Sequence, residues 1–309
     1  MSNQAIILTQ FGGADVTKLS TTRIPEAAPG LVVVRVLAAG INGLDWKIRE
    51  GNLRDVMPTV FPTVLGLELA GEVHVTAPGS SFAVGDRVFG LAAPANGAYA
   101  EFVAVPEMLL APIPDEVSNQ VAAALPVAGL TAWQMLHAAG TPTAGDTVLV
   151  HGASGGVGTL LVQMAQQMGL KVIATASMSS RGHLLDLGVS AVIDRVNEKF
   201  EDKVSGVDLV IDLAGADAPD RSWAVLRDGG AMVSSARFDI AAPRTDGRRG
   251  IAFMMQPDSK RLASIARAVA DGRLKVTIDD TVPFSGIPAA IERNRTGHGP
   301  GKTVADFTL

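Results

Sequence analysis

The densest chemical spacing in the chain is the seven-residue stretch Gly152-Ala153-Ser154-Gly155-Gly156-Val157-Gly158. It follows a short apolar run, Thr147 to His151, whose length and Val content read as a buried strand. It precedes Thr159 to Met168, where apolar residues recur at helical spacing until Gly169 supplies a stop. In a strand-turn-helix setting, the pattern Gly-x-Gly-x-x-Gly lets backbone approach a pyrophosphate and lets the helix pack on its strand, while free N–H groups at the helix start face the anion. Ala153 stands in the first glycine's place, Gly155 in the second and Gly158 in the third. Ser154, Gly155, Gly156, Val157 and Gly158 are therefore the expected contacts of a dinucleotide, and the competing reading is a tight turn that binds nothing.

Domains that prefer NAD carry an Asp or Glu roughly 20 residues beyond this motif, where it accepts hydrogen bonds from the adenosine ribose. No acidic residue lies between Thr159 and Leu185. The next apolar run instead ends in Thr175-Ala176-Ser177-Met178-Ser179-Ser180-Arg181, which offers hydroxyls and a guanidinium to a 2′-phosphate. NADP(H) is the expected cofactor, with Ser177 and Arg181 as its phosphate contacts and Arg195 as a second candidate. Arg181 could also be a solvated residue at a helix start.

Composition narrows the remaining chemistry. There is no cysteine, so thiol catalysis, disulfides and cysteine-ligated zinc are excluded. His74, His137, His151, His183 and His298 include no pair at helical ligand spacing, so no metal site is expected. A net charge of −5 and a pI near 5.6 argue against nucleic acid and anionic membranes as partners and leave small-molecule substrates. Apolar runs stop well short of the ~18 residues of a membrane span, and the N-terminus lacks a basic segment followed by an apolar one, so the cytoplasm is the expected location.

The elements that must position these residues fall into two patterns. The first hundred residues read as short strands punctuated by Gly and Pro: Ala5 to Thr9, Leu31 to Ala39, Leu69 to Val75, Asp86 to Leu91 and Tyr99 to Val105. From about Val117 a small-residue helix, Ala122 to Leu136, opens an alternation of helices with the strands 146–151, 171–176, 191–194, 207–213, 231–236 and 251–255. That alternation predicts an α/β fold with a doubly wound parallel sheet. Strands at Thr277 to Pro283 and Thr303 to Phe307 flank a helix at Ile287 to Arg293 and resemble the first hundred residues. The expected division is residues 1–118 with 271–309 as one domain, and 119–270 as the dinucleotide-binding one.

Several ordered motifs resemble one family, the zinc-free quinone oxidoreductase and zeta-crystallin-like branch of the medium-chain dehydrogenase/reductase superfamily. They are Asn42-Gly43-Leu44-Asp45, Gly66-Leu67-Glu68-Leu69-Ala70-Gly71-Glu72-Val73, Gly85-Asp86-Arg87-Val88-Phe89-Gly90, Gly97-Ala98-Tyr99-Ala100-Glu101-Phe102, the run Ala122 to Trp133, the glycine-rich turn itself, and Gly301-Lys302-Thr303-Val304. The resemblance implies a GroES-like β domain, completed by the C-terminal segment, around a Rossmann domain, with the active site between them. It implies that Asn42 lies near the nicotinamide ribose, that Thr131 faces the nicotinamide or its phosphate, and that Ala214, Ala236, Phe253 and Met254 follow strands at the ligand-binding end of the sheet. It also implies a homodimer joined along the edge near Ile251 to Met255. The zinc-dependent relatives carry a ligand cysteine near position 42 and a His-Glu pair at 67 and 68; here the residues are Asn42 and Leu67-Glu68.

Hydride transfer from NADPH to a quinone or to the β-carbon of an α,β-unsaturated carbonyl is then the expected reaction, since the cofactor carries the chemistry and little acid or base is required. Asn42 is the expected catalytic residue, as a donor to the substrate oxygen. Trp46 and Arg49 are expected to wall the substrate site, although either could serve packing. Lys302 is a candidate for contact with cofactor or substrate, or a surface charge. Tyr99 and Glu68 read as structural, Asp45 as a helix cap, and His151 as a strand-end residue. Two alternatives stay open: a 2-enoyl thioester reductase, and a non-catalytic NADPH-binding protein of crystallin-like or RNA-associated type.

Overall fold

The Val-rich segment Leu31–Ile41 forms the longest strand and organises the first of two compact units. In the computed structural model, which describes residues 2–93, 96–297 and 299–309, Glu68–Val75 pairs antiparallel along one edge of this strand. Phe102–Pro106 pairs with the first half of its other edge and Lys302–Asp306 with the second half. Arg87–Leu91, Leu110–Pro112 and Ile278–Pro283 complete a seven-stranded sheet, so the C-terminal strands belong to the same sheet as the N-terminal ones. A smaller antiparallel sheet of Thr17–Arg23, Ser2–Leu8 and Thr63–Val64 shares its core, where Ile6, Leu8, Val34, Leu69 and Tyr99 pack together. The unit comprises Met1–Val127, Pro257–His298 and Lys302–Leu309.

The second unit, Ala128–Gln256 with Gly299–Gly301, holds a six-stranded sheet, parallel throughout. Its spatial order is Ala191–Asp194, Lys171–Ala176, Thr147–His151, Val207–Asp212, Leu226–Ser234, Arg249–Ala252. Numbered by chain position this is 3-2-1-4-5-6, the dinucleotide-binding topology, whose order reverses beside the first strand. Val148, Leu149 and Val150 are fully buried because both faces of that central strand are covered.

Local departures from the sequence reading have local causes. The expected single helix 122–136 is two, Asn119–Ala123 and Pro126–His137, because Pro126 lacks an N–H and starts a helix more easily than it continues one. Residues 99–101 precede the strand Phe102–Pro106 and make isolated pairings, Tyr99 N–H to the Leu65 carbonyl among them. The last parallel strand is Arg249–Ala252, not 251–255. The strand Thr17–Arg23 was not expected, since its sequence is polar and lacks the apolar alternation of a half-buried strand. Among the described residues no helix is long and apolar enough to cross a membrane.

Candidate active site

The glycine-rich turn separates two reasons for being glycine. Gly152 has φ +78°, and a Cβ on Gly158 would lie 2.5 Å from the carbonyl oxygens of Gly152 and Ala153, so the turn itself requires both. Gly155 caps the helix Gly156–Gln167 from extended backbone, and a Cβ there would meet only the Gly152 carbonyl oxygen, at an ordinary 3.6 Å. A methyl group would fit at 155; its absence leaves the backbone there uncovered. The first-turn N–H groups of Gly156, Val157 and Gly158 have no intrahelical acceptor and carry the positive end of the helix dipole. Ser154 accepts the Gly301 N–H at 2.9 Å, and Gly155 pairs with Gly301, so the turn is buttressed by a segment 146 positions away (301 − 155).

Buried polar residues below the turn hold neighbouring strand ends. Asp212 accepts the N–H groups of Ala214 and Gly215, at 3.0 and 2.8 Å, and the Ser234 hydroxyl at 2.5 Å. Ser234 in turn accepts from the backbone of Ala236 and Arg237 and, through its carbonyl, from Phe253. One Asp–Ser pair thus shapes the loops that carry Ala214, Ala236 and Phe253, while Met254 is exposed. The sequence reading passed over both residues; an Asp ending a strand before Leu-Ala-Gly is the local signal for such a turn. The His151 imidazole lies 2.8 Å from Thr175 Oγ1 and from Ser222 Oγ. Because Ser222 donates to the Ala218 carbonyl, it accepts from His151 Nε2, and Nδ1 accepts from Thr175. Burial pushes the imidazole down to about 4, so this histidine is a neutral strut.

Ser177, Arg181 and Arg195 come together at the ends of two adjacent strands, where Ala176 and Asp194 are register partners. Ser177 Oγ is 2.9 Å from Ser179 Oγ, the Arg195 N–H donates to the Ala176 carbonyl, and both arginines are exposed.

The first unit contains a buried polar cluster built on three adjacent strands. Lys302 Nζ donates to Asn42 Oδ1 at 2.6 Å and to Glu68 Oε1 at 2.5 Å. Asn42 Nδ2 donates to Glu68 Oε1 at 2.9 Å and to the Gly40 carbonyl at 3.3 Å. Glu68 Oε2 accepts the Val127 N–H at 2.7 Å, in the first turn of Pro126–His137, and Thr131 is buried one turn further along that helix. A Cβ at position 40 would lie 2.2 Å from Glu68 Oε1, so only glycine lets the carboxylate in. Lys302 is 6% exposed and is no surface charge.

Asn42 also begins the helix Gly43–Arg49, and its N–H donates to Asp45 Oδ2 at 2.7 Å, so Asp45 caps from the third helical position. The Tyr99 hydroxyl is 2.7 Å from the same oxygen and 3.1 Å from the Gly40 carbonyl. Burial raises Asp45 to about 7 despite the lowering effect of those hydrogen bonds, and burial with the Asp45 charge holds the Tyr99 phenol well above its ordinary range. Trp46 is half-buried against the core. Arg49 is fully buried and pairs with Glu292 at 2.7 Å, tying its helix to Ile287–Thr296. The expected site residues thus form two groups: Asn42, Trp46, Arg49 and Lys302 in the first unit, the others in the second. His298 lies outside the described residues.

The chain is similar to known proteins. Residues 28–115 match the alcohol dehydrogenase GroES-like domain and residues 187–304 the zinc-binding dehydrogenase model. The 2-methylene-furan-3-one reductase of Solanum lycopersicum is 33% identical over 309 residues, 96% of this chain and 77% of that one. The chloroplastic NADPH-dependent alkenal/one oxidoreductase of Arabidopsis thaliana is 32% identical, over 97% of this chain and 78% of the other. The structure of the quinone oxidoreductase from Coxiella burnetii superposes with a TM-score of 0.92 at 32% identity, covering 99% of both chains. The chain belongs to the quinone oxidoreductase branch of the medium-chain dehydrogenase/reductase superfamily. In this oxidoreductase the first unit is the GroES-like domain and the second the Rossmann domain. Glu68 is occupied by an ammonium, an amide and a backbone N–H.

Proposed function

We propose that this oxidoreductase uses NADPH to reduce a quinone or the activated double bond of an α,β-unsaturated carbonyl. The observation that carries the reading is the turn at Gly155, which withholds a methyl group the protein would accommodate, above a helix start whose N–H groups have no intrahelical acceptor. Bound NADPH supplies a hydride. Ser154, Gly155, Gly156, Val157 and Gly158 hold its pyrophosphate, and Ser177, Arg181 and Arg195 its 2′-phosphate. Thr131, Ala214, Ala236, Phe253 and Met254 border the nicotinamide half, and Asn42 and Lys302 are further cofactor contacts of this reading. Trp46 walls the substrate, and the buried Arg49 holds the helix that carries it.

The same reading includes a homodimer joined along Arg249–Ala252, an edge strand paired on one side only, because such an edge needs cover. It places the protein in the cytoplasm, acting on small molecules without nucleic acid. Initial rates of NADPH oxidation against quinones, enones and enoyl thioesters test the reaction. Turnover of an enone or quinone is expected, and turnover of thioesters alone would replace this reading with the thioester reductase. A parallel series with NADH is expected to give lower kcat/KM; equal values would remove Arg181 and Arg195 from the phosphate site.

A further inference from the structure

We propose that Lys302 is the proton donor of this reduction and that Asn42 and Glu68 position it; the inference rests on the reading of the substrate as an enone or quinone. The buried cluster offers few candidate donors. Both amide protons of Asn42 are committed, to Gly40 and Glu68. Glu68 is fully buried and accepts from Val127, Asn42 and Lys302. Tyr99 and Asp45 are fully buried and bound to each other. An ammonium has three N–H groups. Lys302 spends two, on Asn42 Oδ1 and Glu68 Oε1, and among the described residues the third has no partner.

In the chain this lysine adjoins a residue bonded to the glycine-rich turn. Lys302 directly follows Gly301, whose N–H is bonded to the Ser154 carbonyl and which pairs with Gly155. Glu68, its counter-ion, holds the start of the helix that presents Thr131 one turn later.

Hydride addition to an enone forms a C–H bond at the β-carbon and moves the π pair through the α-carbon onto the carbonyl oxygen. The free N–H of Lys302 donates a charge-assisted hydrogen bond to that oxygen as its charge grows. The ammonium then passes its proton to the enolate, and the neutral amine regains one from water. The balance is one hydride and one proton added per substrate. A quinone takes the same proton at the oxygen of its hydroquinone anion. Asn42 and Glu68 fix the amine's position.

The test compares wild type with Lys302→Met, and with Lys302→Met/Glu68→Gln, in which no unpaired carboxylate is left buried should the single variant fail to fold. Melting reads the fold, NADPH fluorescence titration reads cofactor affinity, and kcat reads chemistry. For a folded variant, kcat at saturating NADPH is expected to fall roughly 100-fold or more, well beyond any rise in the NADPH Kd. A Lys302→Ala protein is expected to regain part of its kcat in added propylammonium. If wild type turns over neither enones nor quinones, the substrate reading falls and takes this inference with it. If wild type is active and the folded variant keeps its kcat, only the role of Lys302 is overturned. A raised NADPH Kd at unchanged kcat also overturns it, leaving Lys302 a cofactor ligand only.

Discussion

Asp45 holds a proton near neutrality because burial penalises its charged form more than two hydrogen bonds repay. The consequence is a pH-dependent stability with an unusual sign for a carboxylate. Its proton affinity rises from 3.8 in the unfolded chain to about 7 in the folded one, so between those values the folded state binds more protons. Stability from this group is full below 3.8 and lost as the pH climbs through 7. His151 works in the opposite direction, since its folded value of about 4 lies below 6.5, and its contribution is lost as the pH falls between them. Above 6.5 only Asp45 of the two acts. Between pH 5.5 and 8, wild type is expected to lose about 2 kcal/mol relative to Asp45→Asn. Parallel denaturation midpoints for the two proteins would show that Asp45 is ionised when folded. At this scale the sequence was informative about which residues matter and silent about their partners. Asn42, Glu68, Asp45, Tyr99 and Lys302 all stand in recognisable motifs, yet the Lys302–Asn42 contact spans 260 positions, and no local pattern encodes it.

Within the turn and its helix, two glycines that look alike in sequence have different tasks. Gly158→Ala would press a methyl into two carbonyl oxygens and is expected to lower both the melting temperature and NADPH affinity. Gly155→Ala meets nothing closer than 3.6 Å and is expected to melt like wild type while losing NADPH affinity at least about tenfold. If Gly155→Ala binds NADPH normally, the turn is structural and the pyrophosphate site lies elsewhere. The strand-turn-helix itself was legible because periodicity changes sharply at Gly152. The split between Ala123 and Pro126 was legible in principle from the proline, whereas the polar strand Thr17–Arg23 is held by pairing with Ser2–Leu8 and not by its own pattern.

For the whole molecule, alternating helices and strands made the parallel sheet readable, and strand-like composition at the C-terminus pointed to the sheet that Lys302–Asp306 joins. The loops that carry Ala214, Ala236 and Phe253 depend on the contact between Asp212 and Ser234, 22 positions apart, which no local pattern encodes. The proposed dimer along Arg249–Ala252 is checked by light scattering: a twofold mass at micromolar concentration is expected, reduced to the monomer by Ile251→Lys. A wild-type monomer would remove that interface.

The most direct measurement follows the hydride. An enone is reduced with NADPH carrying deuterium at its transferable position, and the label is located in the product by NMR. Deuterium on the β-carbon of a saturated ketone is the expected result. Deuterium on a carbinol carbon, with the double bond intact, would make the chain a carbonyl reductase and contradict the account.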